Sequence, residues 1–212
     1  LIVRELRALL PGVPVIAEEE VARDGAPDFG GGAVPRRFWL VDPLDGTKEF
    51  LKRNGEFTVN IALIEDGRPL LGIVHLPALG LTYAGLAGDG ATVQEDGGPA
   101  RAIAARRPPP EGLVVMSSRS HGDSAALQAF LVGRRLAAQL VAGSSLKFCR
   151  IAEGLADLYP RLGRTMEWDT AAGHAVLAAA GGRVTTLDGA ELGYGKPGFE
   201  NPHFVASGRP DR

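Results

Sequence analysis

Apolar and polar residues alternate in short runs through the first half of the chain, a pattern typical of strands. At the start, Ile2, Leu6 and Leu9 instead recur at the spacing of one helix face, which predicts that the chain begins within an amphipathic helix. Turn residues bound the runs that follow, and each run predicts a strand. These predicted strands are residues 13–17, 37–41, 57–64, 70–76, 81–86 and 91–95. Neighbouring strands joined by tight turns predict an antiparallel sheet.

The segments between the strands carry residues typical of loops. Residues 22–36 are rich in Gly, Pro, Asp and Arg and predict a loop, and the three glutamates at 18–20 are expected to form the polar end of the first strand. Residues 105–112 contain three consecutive prolines, which can continue neither a helix nor a central strand. We therefore expect a boundary there, between an N-terminal subdomain, 1–105, and a C-terminal subdomain, 106–212.

The hydrophobic pattern changes after this boundary, where strands and helices alternate. The predicted strands are residues 113–116, 135–141, 156–161, 183–187 and 203–207. The predicted helices are residues 123–131, 144–154 and 169–180, with one shorter helical turn earlier in the chain at 47–53. Alternating strands and helices predict an α/β layer. The pattern as a whole therefore predicts a fold of the α+β / α/β class.

Composition narrows the choice of function classes. Hydrophobic residues make up 45% of the 212 residues and charged residues 23%, as expected for a globular chain with a sizeable core. A net charge of −2 gives no general attraction to nucleic acid or anionic membranes. Cys149 is the only cysteine, so no internal disulfide can form, and a reducing cytoplasm is expected. The sequence has no apolar run of about 18 residues that would predict a transmembrane helix, which leaves peripheral membrane association open.

The segment DPLDGT at residues 42–47 carries the strongest candidate chemistry. Pro43 fixes its own φ and donates no N–H, so the predicted strand is expected to break there. The turn would direct the carboxylates of Asp42 and Asp45 to one side, with the carbonyl of Leu44 between them. Three hard oxygen donors suit Mg²⁺ or Mn²⁺. The alternative is an ordinary turn that closes a strand.

Further candidate residues lie beside this segment and far from it. Gly46 and Thr47 offer backbone N–H groups and a hydroxyl that suit a phosphate oxygen or a water. Glu18 could join the two aspartates, or could belong to a solvated strand end. Asp169 opens a predicted helix, and the small residues at 171–173 leave room for a ligand at the helix N-terminus. The alternative for Asp169 is a simple helix N-cap.

Three ordered segments resemble the inositol monophosphatase superfamily of lithium-sensitive, magnesium-dependent phosphomonoesterases. They are PVIAEE at 14–19, DPLDGT at 42–47 and WDTAAG at 168–173. Longer segments resemble the 3′(2′),5′-bisphosphate nucleotidase branch of the bacterial CysQ type within this superfamily. These are WLVDPLDGTKEFLKRNGEFTVNIALI, GSSLKFC and WDTAAGHAV. The resemblance implies a layered α-β-α-β-α sandwich of the inositol monophosphatase / fructose-1,6-bisphosphatase type, with part of the N-terminal helical region lying upstream of Leu1.

The resemblance also implies the roles of the acidic residues and the turn. Two or three Mg²⁺ ions would be held by five residues: Glu18, Asp42, Leu44 through its carbonyl, Asp45 and Asp169. The implied catalytic residues are Glu18, Asp45 and Thr47. Thr47 would orient a metal-activated water, Glu18 would help take its proton, and the N–H groups of Gly46 and Thr47 would hold the scissile phosphate.

Four more residues match positions that contact the nucleotide and its second phosphate in related enzymes. They are His121, Ser144, Lys147 and Arg161. The remaining residues of the implied substrate-binding set are Glu18, Leu44, Asp45, Gly46, Thr47 and Asp169. A 5′-phosphate needs cationic donors, which fits a lysine and an arginine. The alternative is that Ser144 is only an N-cap and that Lys147 and Arg161 are surface charges.

The function expected from the resemblance is hydrolysis of the 3′-phosphate of adenosine 3′,5′-bisphosphate to AMP and phosphate. A second hypothesis keeps the chemistry but takes inositol monophosphate or fructose 1,6-bisphosphate as substrate. A third is a catalytically inactive metal- or nucleotide-binding module, because the superfamily's Thr-x-x-Asp segment does not precede Glu18 in this chain. We expect a monomer, or alternatively a homodimer, with a small-molecule substrate.

Overall fold

The computed structural model describes residues 1–27, 29, 34–119 and 124–210. The described residues form two β-sheets, with helices on the outer face of each sheet and between the two sheets. The layers follow the order α-β-α-β-α, as the resemblance implied. No helix among the described residues is long and apolar enough to cross a membrane.

The first sheet contains seven strands in chain order. They are β1 (Val15–Ala17), β2 (Arg37–Asp45), β3 (Thr58–Glu65), β4 (Arg68–Leu76), β5 (Leu81–Leu86), β6 (Gly90–Glu95) and β7 (Arg101–Ile103). β1 and β2 are parallel, and the later pairs are antiparallel. The predicted antiparallel meander is therefore confirmed from β2 onwards, and β1 adds a parallel edge.

The second sheet contains five strands in the order β11-β12-β10-β8-β9. They are β8 (Leu113–Ser118), β9 (Leu136–Ala142), β10 (Leu158–Arg161), β11 (Arg183–Thr186) and β12 (Phe204–Ser207). The helices are α1 (Ile2–Leu9), α2 (Glu18–Asp24), α3 (Thr47–Leu51), α4 (Ser124–Leu131), α5 (Leu146–Ala152) and α6 (Glu167–Ala179), with a 3₁₀ turn at Pro197–Phe199. β8 pairs in parallel with β9 and β10, as an alternating α/β pattern predicts.

Helix α6 lies between the two sheets and packs closely on the first one. A Cβ atom added to Gly85 of β5 would lie 2.6 Å from the Cα of Val176, so only glycine lets the backbones approach this far. A Cβ atom on Gly173 would lie 2.6 Å from the ring of Phe148 in α5. The small residues at 171–173 are buried in this packing. They therefore serve helix packing, and the idea that they also leave room for a ligand at the helix N-terminus stays a prediction.

Two segments beside the acidic residues differ from the expectations drawn from the sequence, and the short strand β7 was not predicted. Residues 18–24 form helix α2, where a polar strand end and a loop were expected. The helix was not predicted because Val21 is its only large apolar residue, so the sequence shows no hydrophobic stripe. Strand β2 continues through Pro43 to Asp45, where a break was expected. Its register against β3 shifts between Asp42 and Asp45, and proline is tolerated at such a bulge. The division into subdomains 1–105 and 106–212 stays a prediction.

Candidate active site

Three acidic side chains from different elements meet at one end of the first sheet. β1 and β2 pair in parallel with Ala17 opposite Val41. The next residues along the chain, Glu18 at the start of α2 and Asp42 on β2, therefore become neighbours. Asp169, in the first turn of α6, approaches from the helical layer. Carboxylate oxygens of Glu18, Asp42 and Asp169 all lie within 4.8 Å of one another. Residues distant in the sequence thus form one acidic cluster.

The bulge in β2 places the second aspartate beside this cluster. The N–H of Leu44 donates to Asp42 Oδ1 at 2.9 Å, so a hydrogen bond within the bulge stabilises it. Gly46 follows in the left-handed conformation, with φ 86° and ψ 46°, and α3 then begins at Thr47. Glycine tolerates this conformation without the steric cost that a Cβ atom brings. The segment 42–47 therefore turns back on itself mainly through its own residue types.

Asp45 is held by donors from both parts of the chain. Its Oδ2 accepts hydrogen bonds from Ser145 N at 2.9 Å, Asn60 Nδ2 at 3.2 Å and Thr58 Oγ1 at 3.3 Å. Burial raises the pKa of the Asp45 carboxyl, while the positive charge of Lys147 and these donors act in the opposite direction. Asp45 lies outside this three-residue cluster, and its negative charge raises the pKa of Asp42 and of Asp169.

The cluster is electrostatically unfavourable without a positive counter-charge. Burial, followed by the charges of Asp45 and Glu18, raises the pKa of Asp42 to about 10. Burial, followed by the charge of Asp45, raises the pKa of Asp169 to about 7. Burial is also the largest cause of the raised pKa of Glu18. Closely spaced carboxylate oxygens that resist ionisation fit a hard divalent cation such as Mg²⁺, because its charge would stabilise their ionised forms.

Asp169 is held at the third position of α6 rather than at the predicted N-cap. The helix begins at Glu167, and Asp169 Oδ2 accepts a hydrogen bond from the backbone N–H of Met166 at 2.8 Å. This bond fixes the side chain across the first turn. Asp169 is therefore not the N-cap residue, and the N-cap alternative is wrong. A carboxylate there also interacts favourably with the positive end of the helix dipole.

A distant segment fastens the first turn of α6. The carboxylate of Glu167, which is fully buried, accepts hydrogen bonds from Gly195 N at 2.7 Å and Lys196 N at 2.8 Å. Lys196 Nζ also pairs with it at 2.7 Å, and Asn201 Nδ2 donates to the carbonyl of Met166 at 2.8 Å. Sequence reasoning missed these residues. The position of Glu167, two residues before Asp169, was the one feature of the sequence that could have indicated them.

One cavity of about 360 Å³ collects the predicted site residues that the structure describes. They are Glu18, Asp42, Leu44, Asp45, Gly46, Thr47, Ser144, Lys147, Arg161 and Asp169. His121 lies outside the described residues. The cavity is also lined by Arg119 and Arg164, which sequence reasoning did not single out. Acidic and basic side chains therefore face the same space.

The structure excludes the alternatives that Lys147 is a surface charge and that Ser144 is only an N-cap. Lys147 is 4% exposed, and its Nζ donates to the carbonyls of Ser144 at 2.6 Å and Ala142 at 3.2 Å, so it is not a surface charge. Ser144 has a φ of 39°, and its Oγ donates to the carbonyl of Glu56 at 2.6 Å. The residue at the N-cap position of α5 is Ser145. The N-cap alternative for Ser144 is therefore wrong.

Arg161 is half-buried at the rim of the cavity. Its Nη1 donates to Ser118 Oγ at 2.9 Å, and its Nη2 donates to the carbonyl of Arg164 at 3.0 Å. Arg164 itself pairs with Glu200 at 3.0 Å and is largely exposed. Arg119 forms a two-pronged pair with Glu56, with both contacts at 2.8 Å. Several guanidinium groups thus line the same cavity as the carboxylate cluster.

Comparison with known proteins identifies the class to which this site belongs. The profile of the inositol monophosphatase family matches residues 1–208. The chain therefore belongs to the inositol monophosphatase family, and the resemblance drawn from the three motifs is confirmed.

Particular relatives narrow the comparison within this family. The 3′(2′),5′-bisphosphate nucleotidase CysQ of Escherichia coli (strain K12) is 49% identical over 207 residues, which cover 95% of this chain and 78% of that protein. The enzyme of the same name from Buchnera aphidicola subsp. Acyrthosiphon pisum is 44% identical over 210 residues, covering 98% of this chain and 76% of that protein. The chain is thus similar to nucleotidases of the CysQ type, as the longer segments indicated.

Solved structures give the same result for the fold. CysQ from Bacteroides thetaiotaomicron, a bacterial member of the inositol monophosphatase family, matches with a TM-score of 0.81 and 35% identity, covering 96% of this chain and 80% of that one. The inositol monophosphatase from Anabaena (Nostoc) sp. PCC 7120 matches with a TM-score of 0.78 and 25% identity, covering 98% and 78%. The predicted sandwich is confirmed.

Proposed function

We propose that this protein is a magnesium-dependent 3′(2′),5′-bisphosphate nucleotidase that converts adenosine 3′,5′-bisphosphate into AMP and phosphate. One observation carries the proposal: a single cavity joins a carboxylate cluster to several cationic side chains. The cluster suits metal ions and a scissile phosphate, and the cations suit a second phosphate. Similarity to the CysQ nucleotidases supports this choice of substrate.

Two or three Mg²⁺ ions would be held by Glu18, Asp42, the Leu44 carbonyl, Asp45 and Asp169. When bound, Mg²⁺ supplies positive charge that lowers the pKa of a water and polarises the phosphate. The protein's own residues would then orient this water and take its proton. Thr47 presents its hydroxyl to the attacking water at the start of α3, and Glu18 accepts the proton.

The remaining donors hold the substrate. The N–H groups of Gly46 and Thr47 would donate to oxygens of the scissile phosphate, since they start a helix beside the cluster. Arg161, Lys147 and Ser144 would contact the nucleotide and its second phosphate, together with His121. The hydrogen bonds of Lys147 to two carbonyls support a role in which it holds its loop and contributes positive charge toward Asp45.

Phosphate release from three substrates tests this proposal. Purified protein would be incubated with Mg²⁺ and adenosine 3′,5′-bisphosphate, inositol monophosphate or fructose 1,6-bisphosphate, each with and without Li⁺. We expect the highest kcat/KM for the adenosine bisphosphate, with AMP as the nucleotide product and inhibition by Li⁺. Hydrolysis of inositol monophosphate at an equal or greater kcat/KM would reject the nucleotidase assignment. Absence of Mg²⁺-dependent hydrolysis of all three would favour the inactive binding module.

A further inference from the structure

Two buried polar side chains connect Asp45 of β2 with Asp169 of α6. Asn60 Nδ2 donates to Asp45 Oδ2 at 3.2 Å and to Ser145 Oγ at 3.0 Å. Ser145 Oγ donates in turn to the backbone carbonyl of Asp169 at 2.9 Å. A continuous chain of hydrogen bonds thus runs from one acidic residue to the other. We call this chain, formed by Asn60 and Ser145, the polar bridge.

The polar bridge crosses between two layers of the fold. Asn60 lies on β3 of the first sheet, whereas Ser145 lies at the start of α5 in the helical layer. Each residue is only 1% exposed. Polar groups buried this deeply are costly unless they are hydrogen-bonded. The three bonds of the bridge engage Asn60 Nδ2 and Ser145 Oγ, whereas Asn60 Oδ1 has no hydrogen-bond partner among the described residues. The bridge is therefore a built connection between the layers.

The bonds also restrict how the Asp45 carboxylate can turn. Thr58 Oγ1, Asn60 Nδ2 and the N–H of Ser145 all donate to the same oxygen, Oδ2. Rotation of the carboxylate would break these bonds together. The three bonds thus hold the Asp45 carboxylate in one orientation beside the cluster. Such hydrogen-bond partners behind metal ligands tune affinity as well as geometry.

We propose that Asn60 and Ser145 are positioning residues that set the separation of Asp45 and Asp169, and through it the affinity of the cluster for Mg²⁺ and the rate of phosphate release. This inference rests on the proposed function. The two aspartates come from different layers, so no local turn fixes their distance. A ligand set must be held to within about 0.5 Å of its productive geometry, and the polar bridge supplies that constraint.

Substitutions that remove one link at a time test the polar bridge. Ser145→Ala removes the hydroxyl but keeps the backbone N–H that donates to Asp45, and Asn60→Ala removes the amide. We expect each variant to raise the Mg²⁺ concentration for half-maximal activity about 10- to 100-fold or to lower kcat by a similar factor, with KM for substrate changed less than about twofold. Ser117→Ala is the matched control, because Ser117 is buried on β8 and its Oγ donates to the Leu140 carbonyl.

The rise in melting temperature on adding Mg²⁺ gives a readout that needs no turnover. It should shrink in Ser145→Ala and in Asn60→Ala, and should match wild type in Ser117→Ala. The double variant should lose little more than either single one, because both act through one chain of bonds. Ser145→Cys, which keeps the shape with a weaker donor, should fall between Ser145→Ala and wild type, and it serves if either alanine variant does not fold.

Two outcomes would overturn the inference. One is a wild-type Mg²⁺ dependence in both alanine variants. The other is a lower melting temperature in EDTA with an unchanged Mg²⁺-induced rise, which would mean that the bonds serve stability alone. Failure of the proposed function is distinguishable, because wild type would then release no phosphate from the adenosine bisphosphate while the Mg²⁺-induced rise would still report on the polar bridge.

Discussion

The two halves of the site are held in place in different ways. The segment 42–47 is shaped mainly by its own residues: a proline at a bulge, a bond from Leu44 N to Asp42, and a glycine in the left-handed conformation. The first turn of α6 is instead fastened by Gly195, Lys196 and Asn201, which come much later in the chain. The backbone of segment 42–47 is therefore encoded locally, although distant donors hold the Asp45 side chain. The first turn of α6 instead depends on the completed tertiary structure.

The largest expected effect concerns both halves equally. Asp45→Asn and Asp169→Asn are nearly isosteric, and the amide oxygen can still accept the bonds that hold each carboxylate. The amide nitrogen would then face the cation, which needs an anionic oxygen. We expect turnover to fall more than about 100-fold in each variant, beyond the loss expected for a supporting residue. Phosphate release at saturating Mg²⁺ measures it.

Asp24→Asn is a suitable control, because Asp24 is exposed at the end of α2 and pairs with Arg23. This control should keep wild-type turnover. Melting in EDTA should show that Asp45→Asn and Asp169→Asn remain folded, since removing a charge relieves repulsion within the cluster. Near-wild-type turnover in either variant would mean that the metal site is misassigned.

The second largest expected effect is a loss of stability that concerns only the first turn of α6. Glu167→Gln replaces one carboxylate oxygen with an amide nitrogen, so one of the N–H groups at Gly195 and Lys196 loses its acceptor. An unsatisfied buried donor costs about 1–3 kcal/mol. We therefore expect the free energy of unfolding to fall by about 2 kcal/mol, as measured by urea titration, with a loss of turnover as Asp169 shifts.

The control for this comparison is Glu191→Gln, which removes an exposed ion pair with Arg68. Such pairs contribute at most about 1 kcal/mol. Equal stability losses in Glu167→Gln and Glu191→Gln would show that the distant segment does not hold the first turn of α6, and the contrast between the two halves would then fail.

The smallest expected effect is a pH dependence within α6. His174 is fully buried, its Nδ1 lies 3.0 Å from the Tyr194 hydroxyl, and burial, followed by the charge of Lys196, lowers its pKa to about 3. Because the unfolded value is near 6.5, the contribution of neutral His174 is present above pH 6.5 and is lost as pH falls toward 3. Between pH 7 and 5.5 this loss is about 1 kcal/mol.

His174→Gln should therefore lose less stability than wild type over that pH interval. Urea titrations of both proteins at pH 7 and pH 5.5 measure the difference. The acidic cluster is the same in both, so its own pH dependence cancels in the comparison. An identical decline in wild type and His174→Gln would indicate that His174 becomes protonated without opposing the fold.

The same contrast explains how much could be predicted from the sequence. The sequence patterns predicted the strands of both sheets except β7. The predicted site residues that the structure describes line one cavity, together with Arg119 and Arg164, which were not predicted. Helix α2 was missed because Val21 alone gives no periodic apolar stripe. The contacts of Glu167 were missed because polar bonds between residues about thirty positions apart leave no local pattern.

The small residues at 171–173 illustrate a different point. A run of alanine and glycine permits close approach but does not say what approaches. Here the neighbours are Phe148, in close contact with Gly173, and the first sheet, where Gly72 closely approaches Ala172. Residues that carry chemistry are easier to predict because few residue types can perform that chemistry, whereas packing depends on the shape of the surroundings.

The acidic cluster also bears on how the protein folds. Glu18 lies near the start of the chain and Asp169 near its end, so bringing their carboxylates together requires long-range contacts that form slowly. Mg²⁺ would then bind well only after both sheets and α6 have come together. Stabilising contacts absent from the folding transition state slow unfolding and leave the folding rate nearly unchanged. Magnesium would thus act on the lifetime of the folded protein rather than on the speed of its assembly.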